Sequence, residues 1–79
     1  MINAYILISM QPGRIDTTIK KMRKIENIAK ISVIAGEFDI IVRVHAKTLD
    51  NLMKITNKIQ MIDGVMKTTT QVIEKEIAL

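Results

Sequence analysis

The chain has no cysteine, one proline, three glycines, one histidine and two aromatic residues, Tyr5 and Phe38. Without cysteine there is neither a disulfide staple nor a thiolate metal cage. His45, near the end of a predicted strand, has no neighbouring acid to orient an imidazole, so a Ser-His-Asp or Cys-His relay has no footing and His45 reads as a surface residue. Gly13, Gly36 and Gly64 lie far apart at predicted turns, which excludes a glycine-rich phosphate loop. The carboxylates form no ligand cluster, and Glu74 with Glu76 reads as a pair of solvated edge charges. No metal, cofactor or catalytic residue is therefore expected. Apolar runs such as Tyr5-Ile6-Leu7-Ile8 fall far short of the ~20 residues that span a bilayer. With no secretion signal after Met1, no membrane association and a cytoplasmic location are the expectation.

What is present is one small globular domain of 79 residues, 48% apolar against 25% charged. A core of this size supplies no more than roughly 3 to 5 kcal/mol, so self-association is expected. The net charge of +4 comes from twelve basic residues spread along the whole chain, and two aromatics are few for stacking bases. Basic balance alone does not indicate nucleic acid.

Periodicity orders the elements. Residues 3–10 read as a strand closed by the turn Gln11-Pro12-Gly13. Ile15, Ile19, Met22 and Ile25 recur at helical spacing opposite Lys20, Lys21, Arg23 and Lys24. Residues 29–35 and 38–45 alternate around Gly36-Glu37, which predicts two strands joined by a tight hairpin. Thr48 is placed to N-cap a second helix striped by Leu52, Ile55, Ile59 and Ile62, which Asp63-Gly64 ends. Val65 to about Ile77 reads as the last strand. The order is β-α-β-β-α-β.

An offset of 34 residues superposes the chain on itself: Ile6 falls on Ile40, Ile8 on Val42, Ile15 on Leu49, Asp16 on Asp50 and Lys20 on Lys54. Two related β-α-β halves predict an α+β, ferredoxin-like fold, an antiparallel sheet with two helices on one face. Alternation puts Ile6 and Ile8 opposite Tyr5 and Leu7; Phe38, Ile40, Val42 and Val44 opposite Ile41; and Ala29, Ile31 and Val33 opposite Ile34. Both faces are apolar although helices cover only one. A second copy packed sheet to sheet, closing a dimeric α+β barrel, is the simplest cover.

Taken together, Gln11-Pro12-Gly13, Gly36 with Asp39, Asp63-Gly64-Val65 and the run Thr68-Thr69-Thr70-Gln71 occur in a distinctive order. In these motifs, across nearly the whole chain, the sequence resembles the C-terminal regulatory domain of the Lrp/AsnC (feast/famine) transcription regulators. The resemblance implies sheet-to-sheet dimers assembled into rings, with a small effector, usually an amino acid, bound between dimers. The effector contacts it implies are Gly36, Glu37, Asp39, Thr68, Thr69, Thr70 and Gln71. Those regulators carry an N-terminal helix-turn-helix that this sequence does not show, so it looks like a stand-alone form, expected to join full-length regulators and to bind no specific DNA itself.

The chemistry of these residues allows that site: Asp39 could accept from an ammonium, and backbone N–H groups and hydroxyls could donate to a carboxylate. It equally allows a structural reading, with Gly36 and Asp39 shaping the turn and the threonines chosen for their β-branching. Two further classes share this order of elements. A small dimeric monooxygenase would need pocket histidines or a haem, and an RNA-recognition module would need aromatics on its central strands.

Overall fold

In a computed structural model describing residues 1–79, the order is β1 (Ile2–Met10), α1 (Ile15–Met22), β2 (Ile28–Val33), β3 (Ile40–Ala46), α2 (Leu49–Gln60) and β4 (Val65–Val72). The four strands form one antiparallel sheet in the order β2-β3-β1-β4. The two repeat halves thus interleave, each contributing one central and one edge strand, and Ile15 and Leu49 both open helices.

One side chain in two along each central strand is driven from water. Ala4, Ile6, Ile8 and Met10 of β1 and Ile40, Val42, Val44 and Ala46 of β3 are buried against Leu52, Ile55 and Ile59 of α2 and Met22 of α1. On β4, Thr68 and Thr70 share this face and meet Gln60 and Thr56 of α2 through side-chain hydrogen bonds. The Thr48 hydroxyl accepts from the Asn51 N–H at 3.1 Å and caps α2 as expected. The shorter α1 buries only Thr18 and Met22, and the Thr18 hydroxyl has no hydrogen-bond partner.

The other face carries Tyr5 and Leu7 from β1, Ile41 and Arg43 from β3, Lys30 and Ser32 from β2, and Thr69 and Gln71 from β4, and no helix covers it.

Several boundaries differ from the sequence reading. α1 stops at Met22, and Ile25 packs from the following turn. β2 ends at Val33 and β3 begins at Ile40, so the expected tight hairpin is a longer loop, 34–39, closed by the Ile34 N–H donating to the Asp39 carbonyl at 2.9 Å. A bulge at Ala29 shifts the register of β2, and Ile28 rather than Ala29 joins Ile31 against the core. β4 ends at Val72; only the Ile73 N–H, donating to Asn3 at 2.8 Å, continues the ladder. Period-two alternation has no way to signal a bulge or the loss of a neighbouring strand.

Candidate functional site

The motifs that carry the family resemblance converge on the C-terminal end of β1. The β1–β4 register shifts between Ser9 and Met10, which takes the last residues of β1 out of regular pairing. Their amides find other partners. The Met10 N–H donates to Asp39 Oδ2 at 2.7 Å, and the Gln11 N–H donates to the Gly64 carbonyl at 2.8 Å. The Asp39 N–H in turn donates to the Ile8 carbonyl at 2.9 Å. Asp39 thus fastens the 34–39 loop to β1 by both its backbone and its side chain.

On the other flank, Gly64 is buried with a φ of 97°, and a Cβ built there would lie 2.8 Å from Arg14 Cβ. Only glycine fits a left-handed backbone at such a close approach. The Arg14 guanidinium forms an ion pair with Asp63 that locks this contact, and it holds the Asp63 carboxyl below the usual carboxylate range. Distance in sequence hid this arrangement: Gln11-Pro12-Gly13 and Asp63-Gly64 are two sides of one junction.

Of the residues expected to contact an effector, Gly36 and Glu37 are exposed at the tip of the 34–39 loop, and nothing lies within 4 Å of where a Gly36 Cβ would sit. Asp39 is half-buried, with Oδ2 engaged by Met10 and Oδ1 without a protein donor. The β4 residues divide between the two faces. The hydroxyls of Thr68 and Thr70 are turned to α2, at 2.8 Å from Gln60 Nε2 and 3.4 Å from Thr56 Oγ1, whereas Thr69 and Gln71 lie on the open face beside Leu7 and Tyr5. β1 lies between the 34–39 loop and β4, so one chain does not gather all seven residues into a single pocket.

A polar cluster that periodicity did not single out stands on the open face. Arg43 Nη1 donates to the Tyr5 hydroxyl at 3.0 Å and to Glu76 Oε2 at 3.2 Å, and Arg43 Nη2 donates to Glu76 Oε1 at 2.9 Å. The guanidinium also lies 5.5 Å from the Tyr5 ring centroid. Glu76 remains exposed, as expected of an edge charge, but it pairs with Arg43, which draws its carboxyl below the usual range. The available signal was Arg43 itself, the one Lys or Arg within β3.

No three His, Asp or Glu side chains gather as metal ligands. No helix is long and apolar enough to cross a membrane.

Residues 3–78 match the family model of the Lrp/AsnC ligand binding domain. Among curated proteins, the HTH-type transcriptional regulator FL11 of Pyrococcus furiosus is 27% identical over 72 residues, 91% of this chain and 48% of that protein. The chain therefore spans about half the length of the curated relatives it matches. The crystal structure of FFRP-DM1 superposes with a TM-score of 0.85 at 30% identity, covering 92% of this chain and 99% of that one. A complex of the transcriptional regulator NMB0573 with L-Met, from Neisseria meningitidis, shares the fold at a TM-score of 0.90 and 16% identity, covering 99% of this chain and 53% of that one. The chain belongs to the Lrp/AsnC ligand-binding domain family, whose curated members matched here are transcription regulators.

Proposed function

We propose that this chain is an effector-binding and oligomerisation module in transcription regulation, that its effector is an amino acid, and that it acts by joining full-length regulators rather than by reading DNA. The observation that carries this reading is the junction at the end of β1. Asp39 holds the 34–39 loop there, and the Gly36 backbone, the Glu37 carboxylate and Asp39 Oδ1 are left for a ligand. A zwitterion needs an acceptor for its ammonium, which Asp39 or Glu37 supplies. It also needs donors for its carboxylate, which the amides near Gly36 supply with Thr69 and Gln71 of a neighbouring copy. Thr68 and Thr70 support this edge from the helix side. The L-Met complex of a regulator with the same fold is in keeping with an amino acid as ligand.

Self-association follows from the open face, where Leu7 and Ile41 are half-buried and Tyr5 is 38% exposed with no layer above them. A second copy laid sheet to sheet removes this surface from water. Neither helix is free of the sheet to enter a DNA groove, and the one aromatic on the open face, Tyr5, is engaged by Arg43.

The site is tested by calorimetry with the twenty amino acids on wild type and Asp39→Asn. The asparagine side chain still offers an oxygen to the Met10 N–H, so the loop stays in place while the charge is lost. At least one amino acid is expected to bind saturably, with about tenfold or greater weakening in Asp39→Asn. Binding to no amino acid, or equal binding by the variant, overturns the site. Assembly is tested by light scattering. Ile41→Lys is expected to yield monomer or unfolded chain, because an unpaired ammonium in a buried interface costs several kcal/mol; a monomeric wild type refutes the assembly.

A further inference from the structure

The helical layer carries a feature that neither the junction at the end of β1 nor the open face uses, and it is independent of the reading above. The ion pairs of the fold are Arg14 with Asp63 and Arg43 with Glu76. Lys20 and Lys21 of α1 and Lys54 and Lys58 of α2 take part in neither, and all are exposed. Lys54 and Lys58 lie one turn apart on one side of α2, a spacing at which like charges repel. Lys20 and Lys24 hold the equivalent places 34 residues earlier in the repeat, Lys24 in the turn that follows α1. Cations in a last turn offset the helix dipole, which accounts for Lys20, Lys21 and Lys58. It does not account for Lys54, in the middle of α2. Asp16 and Asp50 stand one turn before Lys20 and Lys54, in the first turns of the helices, and neither comes within salt-bridge distance of a lysine.

The packing of the helices turns these side chains to one side. Thr56 and Gln60 hydrogen-bond to Thr70 and Thr68, which fixes one flank of α2 along β4. Lys54 and Lys58 each lie two residues before one of these, about 200° around the helix, on the flank away from β4. On α1, Ile19 lines an apolar groove with Ile28 and Ile31 of β2, and Lys21 lies two residues on, turned away from that edge. β2 and β4 are the opposite edges of the sheet, so the two lysine-bearing flanks look toward one another above its centre. Lys21 is in Coulombic reach of Asp63, just past the end of α2, and helps to lower its carboxyl pKa. The layer faces away from the open sheet face, so a second copy packed sheet to sheet leaves it in solvent. Both aromatic residues lie elsewhere, Tyr5 on the open face and Phe38 in the 34–39 loop.

We propose that the helical layer, through Lys20, Lys21, Lys54 and Lys58 with Lys24 at its rim, is a docking surface for the phosphate backbone of duplex DNA, bound without regard to sequence. Lysine is a flexible point charge that meets a phosphate without fixed geometry, and each contact releases a condensed counterion. The helices lie flat on the sheet and enter no groove, so no base edge is read. No aromatic on this layer can stack an unpaired base, which favours a duplex over a single strand. Nor does it offer the aromatic anchor that a protein partner buries. Such contacts hold the domain against DNA without selecting a site.

The test is fluorescence anisotropy of the full chain with two labelled duplexes of unrelated sequence, about 25 base pairs each. At about 50 mM salt both are expected to bind with the same micromolar Kd. Log K is expected to fall against log salt with a slope of about −3 to −4, as about four phosphate contacts require. Lys54→Gln combined with Lys58→Gln weakens binding about tenfold and reduces the slope by about 2. Glutamine is nearly as good a helix former as lysine and both positions are exposed, so this variant keeps the fold, which circular dichroism and light scattering check. Lys67→Gln combined with Lys75→Gln removes the same charge from β4 and the segment after it, and leaves affinity within about twofold. Absence of binding by wild type at that salt overturns the surface. Tighter binding to one of the two duplexes overturns docking on the backbone alone. Equal weakening by the two double variants overturns the placement on the helical layer and assigns the binding to net charge. Displacement of the duplex by polyglutamate at equal charge concentration overturns DNA as the partner in favour of an acidic protein. Failure of amino-acid binding at the 34–39 loop leaves each of these outcomes readable.

Discussion

Asp39 Oδ2 accepts a 2.7 Å hydrogen bond from the Met10 N–H, joining the loop between β2 and β3 to the point where β1 leaves regular pairing. A carboxylate that accepts from a partly buried amide is worth more than a neutral acceptor, and its removal leaves the amide unsatisfied. Asp39→Ala is therefore expected to lower stability by about 1 to 3 kcal/mol. Asp39→Asn loses less. Thermal melts of the two variants beside wild type give the order, and equal melting of all three refutes the clamp.

Gly64→Ala forces a side chain into a left-handed backbone and against Arg14 Cβ at 2.8 Å. The expected cost is about 1 to 3 kcal/mol, read by urea unfolding. Gly36→Ala, also at a positive φ (157°) but with nothing within 4 Å of its Cβ position, carries a backbone cost without the clash, so a larger loss in Gly64→Ala reports the contact with Arg14.

Thr18 is fully buried on the inner side of α1, and its hydroxyl has no partner. Valine keeps the shape and removes the unsatisfied group. Thr18→Val is expected to stabilise the fold by about 1 to 2 kcal/mol. A lower melting temperature in this variant would show that the hydroxyl is engaged.

Asp63 and Glu76 both have their pKa lowered, by Arg14 and Arg43 respectively, so each binds its proton less readily folded than unfolded. Each contributes stability that is present above the ordinary carboxylate range, about pH 4, and is lost as pH falls through the folded value. Melting temperature measured from neutral to acid pH is expected to fall less steeply in Asp63→Asn and Glu76→Gln than in wild type. Both carboxylates are on the surface, so added salt flattens the difference.

The alternation of Ile6, Ile8, Ile40, Val42 and Val44 and the helical stripe of Leu52, Ile55 and Ile59 were enough to order the elements and to sort the strand residues into two faces, because burial acts residue by residue with the period of the backbone. Which face the helices cover was decided by the packing. The Thr48 cap was legible because it joins residues three apart, and the offset of 34 residues because each half repeats the same local pattern. What only the tertiary structure decided lies between elements. The bulge at Ala29, the length of the 34–39 loop and the end of β4 depend on which neighbour a strand finds, not on its own pattern. The division of Thr68 and Thr70 from Thr69 and Gln71 follows from the register of β4 on β1, where a shift of one residue exchanges the faces. The contacts Asp39 to Met10, Gly64 to Gln11 and Glu76 to Arg43 join residues 29, 53 and 33 positions apart, and no local pattern encodes a hydrogen bond across such distances.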